Sequence, residues 1–343
     1  MAPSTVISIR RFSAEDVAHL ETRGVRFVFA GNEKLDPHGV TKDQFAAGIY
    51  ALPEEIRKDA FALIFDCFHV TERLLDACPN VRWVHHPGAG VNTGELWTDW
   101  DLLARRDVTV TTAKIHGIPI SEMIVAYVLA LAKHLPQFFD RQRRHVYRGD
   151  GTDARLPNLI VDGMTALILG TGNVGAEAAR KLKTAFRMTT IGINSDGRPV
   201  EHFDETYTLA GLDAALPRAD FVITTSVLVE ATRNVMSRER IALMKPGAFL
   251  INPSRGGLID EPALVDALRE GRIAGAALDT FAVEPLPQDS PLWDLPNVII
   301  TPHVSGGRPD YNTAVMDRFL ENLDAFRSGR RSEMTGVANT KRY

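Results

Sequence analysis

An arginine, a glutamate and a histidine follow three successive strand-like segments in the second half of the sequence. Arg255 lies in INPSRGG, Glu284 in DTFAVEP and His303 in TPHVSGG. Ligands of open α/β sheets bind beyond the carboxyl ends of the strands, so we expect these side chains to converge on one cleft. Taken singly, each residue has an ordinary explanation as a surface or loop residue. Their ordered placement beyond strand ends favours a joint chemical role.

Reduction of a 2-keto acid requires a cation for the carboxylate, a proton donor for the carbonyl oxygen and a hydride. Arg255 can bind a carboxylate through its planar guanidinium group. His303 can donate a proton to the carbonyl oxygen near neutral pH. Glu284 can hydrogen-bond the imidazole, orient it and favour its charged form. The remaining requirement is a hydride, which a nicotinamide cofactor supplies.

A glycine-rich loop upstream is the candidate for binding such a cofactor. The segment ALILGTGNVGAEAARKL has the pattern G-x-G-x-x-G between an apolar strand and a helix. The first glycine allows a tight turn, the second lets the backbone approach a pyrophosphate, and the third lets helix and strand pack closely. We therefore favour dinucleotide binding over an ordinary glycine-rich turn. The predicted pyrophosphate-binding residues are Gly170, Thr171, Gly172, Asn173, Val174 and Gly175.

The end of the next strand bears on the choice between NAD and NADP. An acidic residue there would bind the ribose 2′-hydroxyl of NAD. The sequence instead has Asn194 in IGINSDGRP, 19 residues beyond Gly175. Asn194 does not repel a 2′-phosphate, and Ser195 and Arg198 could bind one, whereas Asp196 argues for NAD. The predicted cofactor is NADP or NAD, with a slight lean to NADP.

The elements that carry these motifs are those of an α/β protein. Strand-like runs alternate with helical patterns over the first hundred residues and again from Thr165, which predicts parallel sheets with helices on both faces. One long helix is predicted over residues 120–145. The segment 311–328 is amphipathic and could pack back on the first unit. The length of 343 residues suits two domains.

Composition and charge argue against several classes of protein. The net charge of −4 lacks the basic excess of a nucleic-acid binder. The start MAPSTVISIRR has no signal-peptide apolar core, and the apolar runs are too short to span a bilayer. Cys67 and Cys78 indicate no disulfide framework. His85 and His86 lack further metal ligands and are either pocket-lining or solvated loop residues. We expect a cytoplasmic protein without a metal site that binds neither nucleic acid nor membrane.

The motifs resemble those of the D-isomer-specific 2-hydroxyacid dehydrogenases over nearly the whole chain. GMTALILGTGNVG is similar to the family's cofactor loop, LMKPGAFLINPSRGGLIDEPALVDALREGRIAGAALDTFAVEPLP to its longest signature, and PLWDLPNVIITPHVSG to the segment with its histidine. The resemblance implies that Arg255, Glu284 and His303 are catalytic and that Asp279 meets the nicotinamide carboxamide. It also implies that the backbone of three residues in HHPGAGV holds the substrate carboxylate, namely Ala89, Gly90 and Val91.

The resemblance further implies a fold and an assembly. The fold is α/β, with two doubly wound parallel-sheet domains: a Rossmann cofactor domain over 114–307 and a flavodoxin-like substrate domain formed by 1–113 and 308–343. The assembly is a homodimer formed through the cofactor domain. The sequence departs from the family at Val227, where a proline is usual. It also departs at TTAKIHGIPISE, which resembles a glyoxylate/hydroxypyruvate reductase-like subgroup.

Three functions remain open at this point. The preferred hypothesis is an NAD(P)-dependent enzyme that reduces a small 2-keto acid, such as glyoxylate or hydroxypyruvate, to the D-2-hydroxy acid. The second is a dinucleotide-sensing binding protein or corepressor on the same scaffold, because a fold does not fix a function. The third is a dehydrogenase for another small anion, such as formate or phosphite. The pairing of His303 with Glu284 argues against formate, whose oxidation needs no proton acid.

Overall fold

The chain divides into two compact units, each built on its own β-sheet. The first unit comprises residues 1–115 and 308–343, and the second comprises residues 116–307. The computed structural model describes residues 4–31, 41–88, 90–91, 97–147 and 158–338.

The strands and helices alternate along the chain. Among the described residues, the strands are β1 (Thr5–Ser8), β2 (Arg26–Phe29), β3 (Ala60–Ile64), β4 (Trp83–His86), β5 (Thr109–Thr112), β6 (Thr165–Leu169), β7 (Thr189–Ile193), β8 (Glu205–Tyr207), β9 (Phe221–Thr224), β10 (Phe249–Asn252), β11 (Gly275–Leu278), β12 (Val298–Ile300) and β13 (Val337–Ala338). The α-helices are α1 (Ala14–Glu21), α2 (Lys42–Phe45), α3 (Ala47–Tyr50), α4 (Glu54–Asp59), α5 (Glu72–Ala77), α6 (Trp100–Arg105), α7 (Gly117–Ala132), α8 (Leu135–Arg143), α9 (Asn173–Phe186), α10 (Leu212–Ala215), α11 (Arg238–Leu243), α12 (Glu261–Arg269) and α13 (Tyr311–Arg327).

The first unit has a sheet in the order β13-β5-β4-β3-β1-β2. Strand β13 pairs antiparallel with β5, and the other neighbours pair parallel. Ser13 caps α1 and exchanges hydrogen bonds with Asp16, as expected for an N-cap serine. Helix α13 packs on one face of this sheet, where Phe319 is fully buried and stacks on Trp83 with ring centroids 4.2 Å apart. Helices α2 to α6 lie on the other face.

The second unit has a fully parallel sheet in the order β12-β11-β10-β9-β6-β7-β8. Helices α7 and α9 pack on one face, and α10 to α12 on the other. The chain extends from β6 to β8 in one direction and from β9 to β12 in the other. Ligands of such sheets bind at the reversal point, beyond the carboxyl ends of the strands. The predicted fold class, α/β with two doubly wound parallel sheets, is confirmed.

The single helix predicted over residues 120–145 is wrong. The chain instead forms α7 and α8, whose axes are bent by 67° at the break. His134 between them takes a left-handed conformation with φ of +52°. Pro136, the second residue of α8, has no N–H to donate to the preceding turn, which disfavours a straight continuous helix through this position.

Two searches of the described residues concern membranes and metals. No single helix there has the length and apolar character needed to cross a membrane; only the bent pair of α7 and α8, taken together, meets both criteria. No group of three or more His, Cys, Asp or Glu side chains in the same part of the chain could hold a metal ion.

Candidate active site

The glycine-rich loop joins β6 to α9 at the reversal point of the second sheet. Gly170 has φ of +107°, and a Cβ there would lie 2.7 Å from the Ser226 nitrogen. A Cβ at Gly175 would lie 1.9 Å from the Gly170 oxygen, so helix and loop are in direct backbone contact. At Gly172 a Cβ would meet no described atom within 4 Å. The loop is therefore closed on its protein side at Gly170 and Gly175 and open at Gly172.

The N-terminus of α9 is suited to bind an anion. Its N-cap residue is Gly172, no side chain caps it, and its first turn has no acidic residue. The first N–H groups of a helix have no partner within the helix and carry a partial positive charge. Thr171 beside them is buried, and Asn173 and Val174 form the first turn. The open face at Gly172 and these N–H groups together fit a pyrophosphate.

Asn194 follows β7 and closes a turn with both ends of its amide. Its Nδ2 donates to the Arg198 carbonyl at 2.9 Å and to the Thr171 hydroxyl at 3.3 Å, and its Oδ1 accepts from the Gly197 nitrogen at 2.5 Å. The Arg198 guanidinium is exposed and pairs with Asp196 at 2.9 Å. Asn194 therefore shapes the turn, and Arg198 is the cation that the turn presents.

Arg255 follows β10 in a turn that Asn252 organises. Asn252 Nδ2 donates to the Arg255 carbonyl at 3.0 Å, and its Oδ1 accepts from the Ser254 nitrogen at 3.1 Å. Arg255 Nη1 donates to the Ser254 carbonyl at 2.8 Å, whereas its Nε is buried without a partner in the described chain. Burial lowers the pKa of Arg255, and the charge of Glu284 opposes that shift. A buried donor without an acceptor is suited to receive an anionic ligand.

Glu284 and His303 are in direct contact. His303 Nδ1 lies 2.7 Å from Glu284 Oε2, while Glu284 Oε1 accepts from the Phe281 nitrogen at 3.0 Å. Burial raises the pKa of Glu284, but the hydrogen bond and charge of His303, the Phe281 N–H and the Arg255 charge outweigh it and hold that pKa below its ordinary value. The His303 side chain is 38% exposed, so its ring can be reached. With Nδ1 bound to the carboxylate, Nε2 is the nitrogen that can give a proton to a ligand.

Asp279 holds the loop that presents His303. Its Oδ1 accepts from the Thr301 hydroxyl and from the Val304 nitrogen at 3.0 Å, and its Oδ2 accepts from the Ser305 nitrogen at 2.9 Å. Its backbone oxygen also accepts from the His303 nitrogen at 2.9 Å. His303 has φ of +53°, a conformation that few non-glycine residues adopt without such support. The predicted contact of Asp279 with the nicotinamide stays a prediction.

Tyr127 is a further residue of this network that the sequence analysis missed. Its hydroxyl lies 2.5 Å from the Thr301 hydroxyl and 3.4 Å from the Ser305 hydroxyl. Because Thr301 donates to Asp279, Tyr127 is the donor to Thr301. Tyr127 lies in the apolar helix α7, where only its hydroxyl distinguishes it from the neighbouring core residues.

The predicted carboxylate-binding loop belongs to the first unit. Ala89 lies outside the described residues, whereas Gly90 and Val91 are described. The Gly90 carbonyl accepts from His86 Nε2 at 2.9 Å, and the Val91 carbonyl accepts from the Thr98 hydroxyl.

His85 and His86 are strand residues, and a solvated loop is the wrong description of them. Both lie in β4 and are buried, at 0% and 2% exposure. They point to opposite faces of the sheet, as successive strand residues do. His85 Nδ1 contacts the Thr111 hydroxyl at 2.8 Å, and burial lowers the pKa of His85 to about 3.

The chain is similar to known proteins over most of its length. A family model described as "D-isomer specific 2-hydroxyacid dehydrogenase, NAD binding domain" matches residues 125–305. D-3-phosphoglycerate dehydrogenase of Methanocaldococcus jannaschii is 32% identical over 273 residues, which cover 77% of this chain and 48% of that protein. The chain thus spans about half the length of that curated relative.

Two further similarities extend over most of both chains. Glyoxylate/hydroxypyruvate reductase B of Pectobacterium carotovorum is 34% identical over 263 residues, which cover 76% of this chain and 80% of that protein. The crystal structure of a D-isomer specific 2-hydroxyacid dehydrogenase family protein from Aeromonas salmonicida is 29% identical with a TM-score of 0.76, and the alignment covers 98% of this chain and 99% of that one.

Proposed function

Because the chain belongs to the D-isomer-specific 2-hydroxyacid dehydrogenase family, we propose that it reduces a small 2-keto acid of the glyoxylate or hydroxypyruvate kind to the D-2-hydroxy acid with NADPH or NADH. The observation that carries the proposal is the 2.7 Å contact of His303 with Glu284, in the same unit as the partly buried Arg255. This reduction requires a proton donor, which the Glu284-bound imidazole supplies, and a cation for the substrate carboxylate, which the guanidinium group of Arg255 supplies.

Each proposed catalytic residue has one task. Arg255 binds the substrate carboxylate, which supplies the acceptor that its buried Nε lacks. The glycine-rich loop and the N-terminus of α9 would hold the nicotinamide cofactor, which would supply the hydride for the C2 carbon of the substrate. His303 gives its Nε2 proton to the carbonyl oxygen, which becomes the hydroxyl, and solvent then reprotonates the imidazole. Glu284 stabilises the imidazolium and keeps Nε2 directed to the substrate.

The proposed cofactor domain is the second unit and the proposed substrate domain is the first. The open face at Gly172 and the uncapped N-terminus of α9 support pyrophosphate binding there. Arg198 supports NADP over NAD, because its present partner Asp196 forms only a solvent-exposed ion pair with it. Such pairs contribute little, so a 2′-phosphate can compete for the guanidinium group.

The proposed assembly is a cytoplasmic homodimer formed through the second unit. Helix α8 supports the dimer because none of its residues is buried, although it carries large apolar side chains. Leu135, Phe138 and Phe139 on it are 37%, 36% and 54% exposed. The two free cysteines, Cys67 and Cys78, support a reducing compartment. The net charge of −4 supports a small-molecule substrate rather than nucleic acid as the binding partner.

A substrate screen with a matched histidine pair tests the function. The purified parent is assayed with glyoxylate, hydroxypyruvate and larger 2-keto acids, with NADPH and NADH in parallel. We expect reduction by the parent and a loss in kcat of ~10²–10⁴-fold in His303→Ala, with cofactor affinity retained, because general acid catalysis contributes that much.

His202→Ala is the control. His202 also has a positive φ and a glutamate neighbour, Glu201 at 3.5 Å, but it lies outside the proposed site. We expect parent-like turnover in this variant. Cofactor binding without reduction of any 2-keto acid would favour the dinucleotide-sensing alternative, and parent-like turnover in His303→Ala would exclude His303 as the acid.

A further inference from the structure

A buried histidine and a buried aspartate are in contact beside the predicted carboxylate-binding loop of the first unit. His86 is the last residue of β4, and Asp66 follows β3 in the neighbouring position of the sheet. His86 Nδ1 lies 3.2 Å from Asp66 Oδ1, and the two residues are 2% and 8% exposed. The other ring nitrogen, Nε2, lies 2.9 Å from the Gly90 carbonyl. The imidazole therefore joins the sheet to the loop.

Both neighbours of this imidazole are acceptors. A carbonyl oxygen only accepts, and an ionised carboxylate only accepts. Burial raises the pKa of Asp66, but the hydrogen bond and charge of His86 and the charges of Arg10 and His69 outweigh it and keep the carboxyl ionised. The ring nitrogen that donates is Nε2, and its acceptor is the Gly90 carbonyl. The Asp66 carboxylate lies beside the other ring nitrogen and is buried together with the imidazole.

The bond to Gly90 fixes the direction of the next N–H group. The Gly90 carbonyl and the Val91 N–H belong to one planar trans peptide unit, in which they point in opposite directions. Since the carbonyl points to the buried imidazole, the N–H points away from it. The Val91 carbonyl is held in turn by the Thr98 hydroxyl, and the Val91 side chain is buried. The peptide is thus fixed on both sides.

The loop is shaped around this imidazole. A Cβ at Gly88 would lie 2.5 Å from His86 Nε2, so only glycine lets the chain pass so close. The ring of Phe68 meets the imidazole edge-on, with centroids 5.5 Å apart. The hydrogen bond from His86 to the carbonyl also polarises the peptide, which strengthens the N–H of the same unit as a donor.

We propose that His86, supported by Asp66, is a positioning residue for the substrate carboxylate: it holds and polarises the Gly90–Val91 peptide so that the Val91 N–H binds that carboxylate. The inference rests on the proposed reduction of 2-keto acids. The peptide contacts a part of the substrate that does not react, so it stabilises the ground state and the transition state alike. Loss of such uniform binding raises KM and leaves kcat nearly unchanged.

The test compares His86→Leu with His85→Leu in the keto-acid reduction, because leucine has no donor for the Gly90 carbonyl. His85 is the adjacent buried histidine of β4 and bonds to Thr111 on the other side of the sheet. We expect His86→Leu to raise KM for the keto acid about tenfold or more, to raise the inhibition constant of oxamate in parallel, and to leave kcat and cofactor affinity within about threefold of the parent. His85→Leu should leave KM unchanged.

A second variant guards against misfolding. His86→Leu alone leaves the Asp66 carboxylate buried beside an apolar side chain, which destabilises a protein. The double variant Asp66→Asn/His86→Leu removes the carboxylate together with the imidazole and should fold with the same raised KM. The KM effects of Asp66→Asn and His86→Leu should also be non-additive, because both act through one peptide.

Each outcome decides the inference. A parent that reduces no 2-keto acid overturns the proposed function and this inference with it. An active parent with unchanged KM in both His86→Leu and the double variant overturns the inference alone. Equal rises of KM in His85→Leu and His86→Leu would reduce His86 to a structural role in β4.

Discussion

Two carboxylates hold adjacent N–H groups of the turn after β11, yet only one of them contacts the imidazole. Glu284 accepts from Phe281 and bonds to His303, whereas Glu261 accepts from Ala282 at 2.9 Å. Because the pKa of Glu284 lies below its ordinary value, its carboxylate is charged throughout the neutral pH range. It becomes protonated only when the pH falls well into the acid range. Across neutral pH, the imidazolium therefore always has its counter-charge.

Replacing that charge should change the pH profile in a defined direction. Keto-acid reduction needs the protonated His303, and in Glu284→Gln the imidazolium loses the carboxylate that stabilises it. Activity should then fall at a lower pH, so the alkaline limb of the kcat/KM profile moves toward acid. Glu261→Gln is the matched control, whose alkaline limb should coincide with that of the parent. An unmoved limb in Glu284→Gln, or equal movement in both variants, would contradict the pairing.

At the residue scale, the sequence predicted the groups that follow strands and missed their partners. Glu284 and His303 meet as expected, because parallel strands bring their carboxyl ends to one edge; their roles stay proposals. Asp66 was missed although it follows a buried strand in FALIFDCF. The Tyr127 hydroxyl bonds to Thr301, which lies 174 residues further along the chain, so no local sequence pattern predicts this contact.

At the scale of elements, two glycines of the glycine-rich loop have different roles, one in cofactor binding and the other in packing. Gly172→Val should leave the fold intact and weaken NADPH binding strongly, because the new side chain occupies the open face at the start of α9. Gly175→Ala should instead lower the melting temperature without any cofactor, since its Cβ would overlap the Gly170 oxygen. Fluorescence titration with NADPH and thermal unfolding of each variant measure the two effects.

Gly247→Val is the control for that experiment. A Cβ at Gly247 also meets no described atom within 4 Å, but this glycine lies in the turn before β10. It should bind NADPH like the parent. If Gly172→Val folds and binds NADPH with parent affinity, the cofactor does not lie on this loop.

Element boundaries were predictable where the signal is local. Ser13 and the glycine-rich loop carry such signals, and Pro136 also marked the break between α7 and α8 that the periodicity analysis overlooked. Strand β13 has two residues and exists only because it pairs with β5, more than two hundred positions earlier. That pairing is a property of the folded unit and not of the segment.

At the scale of the whole molecule, the exposed apolar face of α8 leads to a prediction about assembly. Phe139→Lys places a charge on the helix proposed to meet a second copy, so we expect it to shift the protein from dimer to monomer in sedimentation velocity. Leu243→Lys changes a comparably exposed apolar residue on α11 and should remain dimeric. A monomeric parent, or a dimeric Phe139→Lys, would contradict assembly through α8.

The class of the fold was predictable from the sequence, but the order of the strands in each sheet was not. Alternation of strands and helices follows from apolar periodicity, which is local. In the second sheet β6 lies beside β9 rather than only beside its sequence neighbour β7. That order depends on the core that helices and strands form together, such as the one that residues of α7 and α9 share with Ile168 and Ile223.

The buried Nε of Arg255 has a practical consequence for handling the protein. A buried donor that lacks an acceptor lowers the stability of the folded protein by about 1–3 kcal/mol. Small carboxylates should therefore bind there even when they are not substrates. Acetate, citrate and tartrate in purification or crystallisation buffers would then act as competitors and inflate the apparent KM. They would also raise the melting temperature by mass action. Affinities measured in chloride salts with an amine buffer should therefore be the ones that report on the substrate itself.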